Sequence, residues 1–341
     1  MKKIKTVDAV GHVLCHDITR IIKDVKKDTP FRKGHVVKEE DIPVLLSLGK
    51  ENLYIWEKKE GMLHENEAAE ILFNICKNDN MVGSEIREGK IELIADSDGL
   101  FRVDVDRLEA INDLDEIIIA TRHNNYPVKK GDKLAGTRVI PLIIEEEKLK
   151  KAQEIGGDKP LLELLPYKAM KAGIVTTGSE VYHGRIKDTF TPVIIEKLKE
   201  YGISVCGHKI ADDNSEMIVN SIKELKDNGA EMIICTGGMS VDPDDLTPSS
   251  IRKSGANIVS YGAPVLPGAM FLLGYFDDGT PIMGLPGCVM YTKATIFDLI
   301  LPRVAAGVKM TKKDISRMGH GGLCFACKVC TYPRCEFGKG V

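Results

Sequence analysis

"AEMIICTGGMSVDPDDLTPSS", residues 230–250, decides the fold of the second half of this chain. Met232 to Cys235 form a short apolar run that reads as a buried strand. Thr236-Gly237-Gly238 ends it, and paired glycines at a strand end let another backbone approach closely. Asp242, Asp244 and Asp245 follow. Thr247-Pro248 then starts a helix, with proline where its missing N–H does no harm. Carboxylates beside the glycines point to a metal or a proton acceptor rather than to plain phosphate binding.

Outward from this stretch the same alternation repeats. "KAGIVTTGSE" (171–180) is a buried strand and a glycine turn. Thr191-Pro192 caps a helix whose inner face is Val193, Ile194, Ile195 and Leu198, and Gly202 ends it. "ISVCGHKIADD" (203–213) is the next strand. Ser215 to Asn228 is a helix with Met217, Ile218, Ile222 and Leu225 inward. A short helix spans Thr247 to Ser254. "NIVSYG" (257–262) and "PIMGLPG" (281–287) are further strands, and Val289 to Ala306 reads as one long apolar helix. Strands alternating with helices at this spacing predict an α/β domain over 166–310, a three-layer α-β-α fold on a parallel sheet. Ligands in such sheets bind beyond the C-terminal strand ends. Four loops converge there: 176–180, 211–213, 236–245 and 285–288.

The N-terminal half follows different rules. Residues 1–60 read as a small β-rich segment with one short helix from Glu39 to Ser47, closed by Gly49. Residues 61–165 are mixed α+β. A helix within 63–82 carries Ala68, Ile71, Leu72, Ile75 and Cys76, and a hairpin over 89–105 turns at Asp98-Gly99. A charged helix, 145–155, runs into Gly156-Gly157-Asp158-Lys159-Pro160, so a linker falls within 150–165. Residues 311–341 form a cysteine-rich tail.

At 341 residues the chain holds two or three domains. A composition of 43% apolar and 28% charged residues supplies a core. The formal net charge of −3 gives no reason to expect nucleic acid or a membrane surface as partner. No apolar run approaches the ~18–20 residues of a membrane span, and the N-terminus has no signal-peptide core. The expected location is cytoplasmic. Cysteine use agrees with that. Of nine cysteines, Cys324, Cys327, Cys330 and Cys335 crowd into twelve residues as Cys-x2-Cys-x2-Cys-x4-Cys. In a cytosolic protein such crowding points to metal ligation rather than disulfides. An iron–sulfur cluster and structural zinc both use four-cysteine sets, and spacing alone leaves them open.

Five motifs in order carry a resemblance. They are Thr176-Thr177-Gly178-Ser179-Glu180, Gly184-Arg185-Ile186-Lys187-Asp188, Asp212-Asp213, the Thr236–Asp245 loop and Leu285-Pro286-Gly287. Together they resemble the molybdopterin-binding domain of gephyrin, molybdopterin adenylyltransferases and molybdopterin molybdotransferases, over about 168–307. The β-rich sequence before it favours the molybdotransferase branch. The resemblance implies insertion of molybdate into the dithiolene of bound molybdopterin, with Mg²⁺. It implies Glu180, Asp188, Asp213 and Asp245 as the acidic catalytic residues. It implies Thr177, Gly178, Ser179, Thr236, Gly237, Gly238, Ser240, Pro286, Gly287 and Cys288 as the cofactor-binding set. Homodimers occur in this family. A molybdenum-dependent hydroxylase or another cofactor-biosynthesis protein is the implied partner.

Departures from the family pattern open two alternatives. Leu266-Pro267-Gly268-Ala269-Met270 lacks the lysines expected of that loop, and Leu285-Pro286-Gly287-Cys288-Val289 lacks the usual asparagine and last proline. Losing cations beside an oxyanion site weakens electrostatic catalysis. A non-catalytic cofactor carrier or sensor, with a metal or iron–sulfur tail, is therefore the second reading. "TGGMSVDPDDLT" also resembles the competence-damage proteins that cleave pyrophosphate bonds in nicotinamide nucleotides, which gives a third.

Overall fold

The computed structural model describes residues 2–22, 26–55, 60–240, 242 and 245–340. Asp244 lies outside the described residues. The chain divides into two compact units. The first comprises Met1–Ile94, Val103–Arg122 and Asp132–Glu163, and the second comprises Ala95–Arg102, His123–Gly131 and Leu164–Val341.

In the first unit, a sheet orders Met81–Gly83, Lys90–Ala95, Lys133–Val139 and Ile117–Thr121 side by side. Ile91, Leu93 and Ala95 alternate inward along the second of these, as a one-sided sheet requires. The helix Glu65–Cys76 covers it, burying Ala68, Ala69, Leu72 and Cys76. A smaller core gathers Ala9, Leu14, Ile18, Phe31, Leu45 and Leu53. The hairpin expected over 89–105 does not form. Lys90–Ala95 pairs with Lys133–Val139, whereas Gly99–Val103 pairs with Tyr126–Val128. Asp98 explains the departure: its carboxylate accepts the Lys130 N–H at 2.8 Å and the Lys129 ammonium at 2.9 Å, so the turn binds segment 123–131.

The second unit is built on a six-stranded sheet: β1 (Lys171–Thr177), β2 (Ser204–Ala211), β3 (Met232–Thr236), β4 (Asn257–Tyr261), β5 (Leu272–Tyr275) and β6 (Pro281–Leu285). Their spatial order is β2-β1-β3-β6-β5-β4. β2, β1, β3 and β6 are mutually parallel, and β5 is antiparallel to both neighbours. The sheet is thus mixed rather than wholly parallel. β5 has no sequence expectation behind it. It arises because Phe276 donates back to Thr280 at 2.9 Å, closing a tight turn around Asp278-Gly279 into β6.

Helices cover both faces, which makes three layers. On one face α1 (Phe190–Lys199) and α2 (Ile296–Ala305) pack Ile194, Leu198, Phe297 and Ile300 against Ile174, Ile234 and Met283. On the other, α3 (Ser215–Asp227) and α4 (Thr247–Lys253) pack Ile218, Ile222 and Ile251 against Val175, Ile233 and Cys235. Adjacent residues Ile233 and Ile234 thus serve opposite layers, each burial stabilising by roughly 1.5–3 kcal/mol. Two helix starts differ from expectation. α1 begins at Phe190, because the Asp188 carboxylate takes the N–H groups of Phe190 (2.8 Å) and Thr191 (3.1 Å). α2 begins only at Ile296, where Thr295 and Asp298 form a reciprocal capping box, and a short 3₁₀ turn occupies Gly287–Met290.

The tail is docked rather than loose. Cys324 donates to Leu266 at 2.8 Å, Leu266 donates to Gly322 at 2.8 Å, and Gly338 donates to Gly321 at 2.9 Å. Phe337 is 4% exposed within the core that holds α2, and the Tyr332 hydroxyl donates to the Asp298 carbonyl at 2.8 Å. No helix among the described residues is long and apolar enough to cross a membrane.

Candidate functional site at the strand ends

Strand register puts four loops at one edge. Thr177 of β1 is level with Ala211 of β2, Thr176 with Thr236 of β3, and Thr236 with Leu285 of β6. β4 runs parallel to β6, so Tyr261 ends at the same edge. The loops 178–188, 212–214, 237–246 and 286–292 leave from there.

The loop after β1 is organised by the acid pair after β2. Gly178 donates to Ala211 at 3.2 Å. The Ser179 N–H donates to Asp213 at 2.9 Å, and its hydroxyl donates to Asp212. Asp213 N–H also donates to Asp212 at 2.9 Å, and His183 Nε2 lies 3.5 Å from the other Asp212 oxygen. The Ser179 hydroxyl, the Asp213 N–H and the His183 charge hold the Asp212 carboxyl below the usual carboxylate range. Asp212 is therefore held ionised at this edge. Sequence reasoning chose Asp213 and passed over Asp212. Glu180 is exposed on the short turn Ser179–Tyr182, and its Oε1 lies 3.1 Å from where a Cβ on Gly178 would stand.

Asp188 sits deeper. Its Oδ1 caps α1 and its Oδ2 accepts from the Thr176 hydroxyl at 3.3 Å, with His208 Nε2 3.5 Å away. Burial pushes its pKa up. Bonds from the Thr191 side chain and the Thr191 and Phe190 N–H groups, with the His208 charge, outweigh that and hold it below the usual range. Thr176 also lies 3.0 Å from both Thr191 Oγ1 and His208 Nε2, and the fully buried Thr236 hydroxyl donates to it at 3.4 Å. Asp188 and Thr236 thus belong to a network beneath the edge.

Gly237 and Gly238 answer to that layer as well. At Gly237, φ is +81° and an added Cβ would stand 2.1 Å from the Thr177 carbonyl oxygen. At Gly238, φ is +52° and the Cβ would meet the Thr247 hydroxyl at 2.9 Å. The glycines let β3's end press against β1's end, where Thr177 and Thr247 hydroxyls meet at 3.0 Å. The following loop closes on itself. Asp242 N–H donates to the Asp245 carboxylate at 2.9 Å, and Asp245 N–H returns to the Asp242 carbonyl at 3.0 Å. The Tyr261 hydroxyl donates to the carbonyls of Met239 and Ser240, both at 3.2 Å. Burial first, then the Asp245 charge, raises its pKa. Tyr261 is a second residue that sequence reasoning missed, since a strand-end tyrosine carries no motif.

At the end of β6, Pro286 is buried and Gly287 is exposed, with nothing within 4 Å of an added Cβ. Neither φ nor packing requires glycine there, so the site leaves open space at Gly287. Cys288 is half-buried, and burial pushes its thiol up, so it is protonated at neutral pH. Among the described residues, no three His, Cys, Asp or Glu side chains converge as a ready metal site. That holds for the edge carboxylates and for Cys324, Cys327, Cys330 and Cys335, which are free thiols. The four cysteines nevertheless line a single concavity of about 580 Å³ together with Tyr291–Ala294.

Comparison with known proteins bears on two segments of the chain. Residues 3–57 match a domain of unknown function. Competence-damage inducible proteins, as named in Bacillus thuringiensis and Bacillus anthracis, are 35% identical over 97 residues, 28% of this chain and 23% of each relative. The chain thus spans about a quarter of the length of these curated relatives. Among solved structures, tungsten cofactor synthesizing protein MoaB from Pyrococcus furiosus is 22% identical, covering 42% of this chain and 98% of its own, at TM-score 0.35. CinA from Thermoplasma acidophilum is 16% identical, covering 40% and 98%, at TM-score 0.35. The family model described as a probable molybdopterin binding domain matches residues 173–306, the span from β1 to the end of α2.

Proposed function

We propose that the strand-end edge of the second unit binds molybdopterin and inserts molybdate into it. The observation that carries this reading is a coincidence of place: the segment matching the molybdopterin-binding family is the one whose four strand ends lie level and whose loops gather at one edge. Gly178-Ser179, the 237–240 loop and Pro286–Cys288 surround the pterin and its phosphate, with the open space at Gly287 receiving it.

Charge decides what else is needed. Glu180, Asp212, Asp213, Asp242 and Asp245 crowd this edge, and both molybdate and the pterin phosphate are anions. Two like charges about 4 Å apart repel by roughly 4 kcal/mol in a partly solvated site. Arg185 and Lys187 on the exposed 184–187 stretch offset part of this. The donor set fits Mg²⁺, which takes one or two carboxylates and completes its shell with substrate phosphate and water. Asp213 and Asp245 would hold it, and it would supply charge neutralisation and polarisation of an oxyanion. Asp213 also fixes the Ser179 N–H, so loop and carboxylate move together. Asp188 works as a positioning residue, through α1 and Thr176. The test is molybdate retention on pterin-loaded protein with Mg²⁺. Asp245→Asn and Asp213→Asn should each lower insertion at least tenfold with little change in pterin binding, and wild-type rates in both would remove these residues from the chemistry.

Two further readings have an observation each. The loop 266–270 carries no lysine, which favours a carrier that binds without inserting, delivering cofactor to a molybdenum enzyme. The 35% identity to competence-damage inducible proteins favours a nucleotide ligand, and hydrolysis of a nicotinamide dinucleotide with Mg²⁺ or Co²⁺ is its assay. Cytoplasmic location and self-association belong to these proposals too.

A further inference from the structure

We propose that the C-terminal tail holds one [4Fe–4S] cluster, ligated by Cys324, Cys327, Cys330 and Cys335. It stands independently of the cofactor reading.

Three observations converge. All four sulfur-bearing side chains line one concavity, walled by Tyr291–Ala294, Phe325, Tyr332 and Phe337. The two outer cysteines are fixed: Cys324 by its bond to Leu266, and Cys335 beside the buried Phe337. The two inner ones ride on 325–331, a stretch with no helix or strand, whose Phe325 and Val329 are 69% and 76% exposed. A cluster therefore needs only this short loop to draw inward, while the frame that holds its ends stays as it is. Within the loop, Ala326 has φ of +49°, a left-handed conformation that costs a residue with a Cβ about 1–2 kcal/mol.

Spacing taken together with the shared concavity favours iron–sulfur over zinc. Structural zinc sites pair two Cys-x2-Cys knuckles across an intervening segment, each knuckle biting one side of a tetrahedral ion. Here three cysteines recur at every third residue and the fourth comes five later. Three successive cysteines at that pitch match the Cys-x2-Cys-x2-Cys run of iron–sulfur proteins, and the shared concavity supplies Cys335 as the fourth ligand. Four thiols each release a proton on ligation, and four thiolates on a dicationic cluster leave a net charge of −2. Lys293 and Lys328 line the same concavity and oppose that charge.

The experiment is anaerobic reconstitution of the full chain with equal amounts of ferric and ferrous iron and with sulfide, which balances to a dicationic cluster. After desalting, iron and acid-labile sulfide are counted and the visible absorption is followed on adding dithionite. We expect about four irons and four sulfides per chain, with an absorption band that dithionite bleaches. Cys327→Ser and Cys330→Ser, both exposed and so harmless to folding, should each lower iron content several-fold. Cys206→Ser, an exposed cysteine in β2, should leave it unchanged. Native mass spectrometry of the protein as purified adds a second readout. One zinc per chain that resists exchange by iron would overturn the proposal, as would iron content equal in wild type and both tail variants.

Discussion

Two glycines at one edge separate folding from binding. Gly237 is required by the fold: its φ of +81° and the Thr177 carbonyl 2.1 Å from a Cβ leave no room for alanine. Gly237→Ala should lower the unfolding free energy by at least about 2 kcal/mol in urea titrations. Gly287 has no such neighbour, so Gly287→Ala should fall within about 0.5 kcal/mol of wild type yet weaken pterin binding by narrowing the cleft. Asp188 gives a pH signature. Its folded pKa is depressed, so its stabilisation is present above the unfolded value near 4 and is lost as pH falls through the folded one. Asp188→Ala should cost about 1 kcal/mol at neutral pH through the lost cap, and the gap to wild type should close below about pH 4. Equal gaps at pH 7 and pH 3 would mean that the charge contributes nothing. Some of this was legible beforehand: the carboxylates and glycines were all visible as motifs. The division of labour was not. Asp212 and Asp213 look equivalent on paper, and only the path of the chain after Ala211 decides which one receives the Ser179 hydroxyl.

Elements were readable where one strand ended in glycine and a helix followed. β1, β2, β3, β4 and β6 announce themselves as apolar runs with turns. β5 does not, because its partners are set by a tight turn that an apolar sequence conceals. The missing hairpin at Asp98-Gly99 has the same cause in reverse. A good turn signal was overruled by the remote bonds of Asp98 to Lys129 and Lys130. The long helix expected over 289–306 misled through uniform hydrophobicity, which hides the Thr295–Asp298 box that starts it. The tail is where an element acquires a role its sequence did not disclose. Phe337 fills the core beside α2, so Phe337→Ala should destabilise by roughly 3 kcal/mol, read by thermal or urea unfolding. A loss under about 0.5 kcal/mol would show that the tail is only lightly attached.

At the scale of the whole molecule, the two units interleave along the chain, since residues 95–102 and 123–131 belong with the C-terminal part. Sequence order carries no trace of this, because contacts between distant segments leave no local pattern. The family match accounts for 173–306 only, and the first unit adds a sheet and helices that the match does not reach. The central claim is that the strand-end edge holds molybdopterin. The most direct test is equilibrium binding of molybdopterin to the anaerobically purified full chain, wild type beside Gly287→Ala. The account predicts one pterin retained per wild-type chain and at least tenfold weaker binding by the equally stable variant. No retention by wild type, or equal affinity in both, would contradict it.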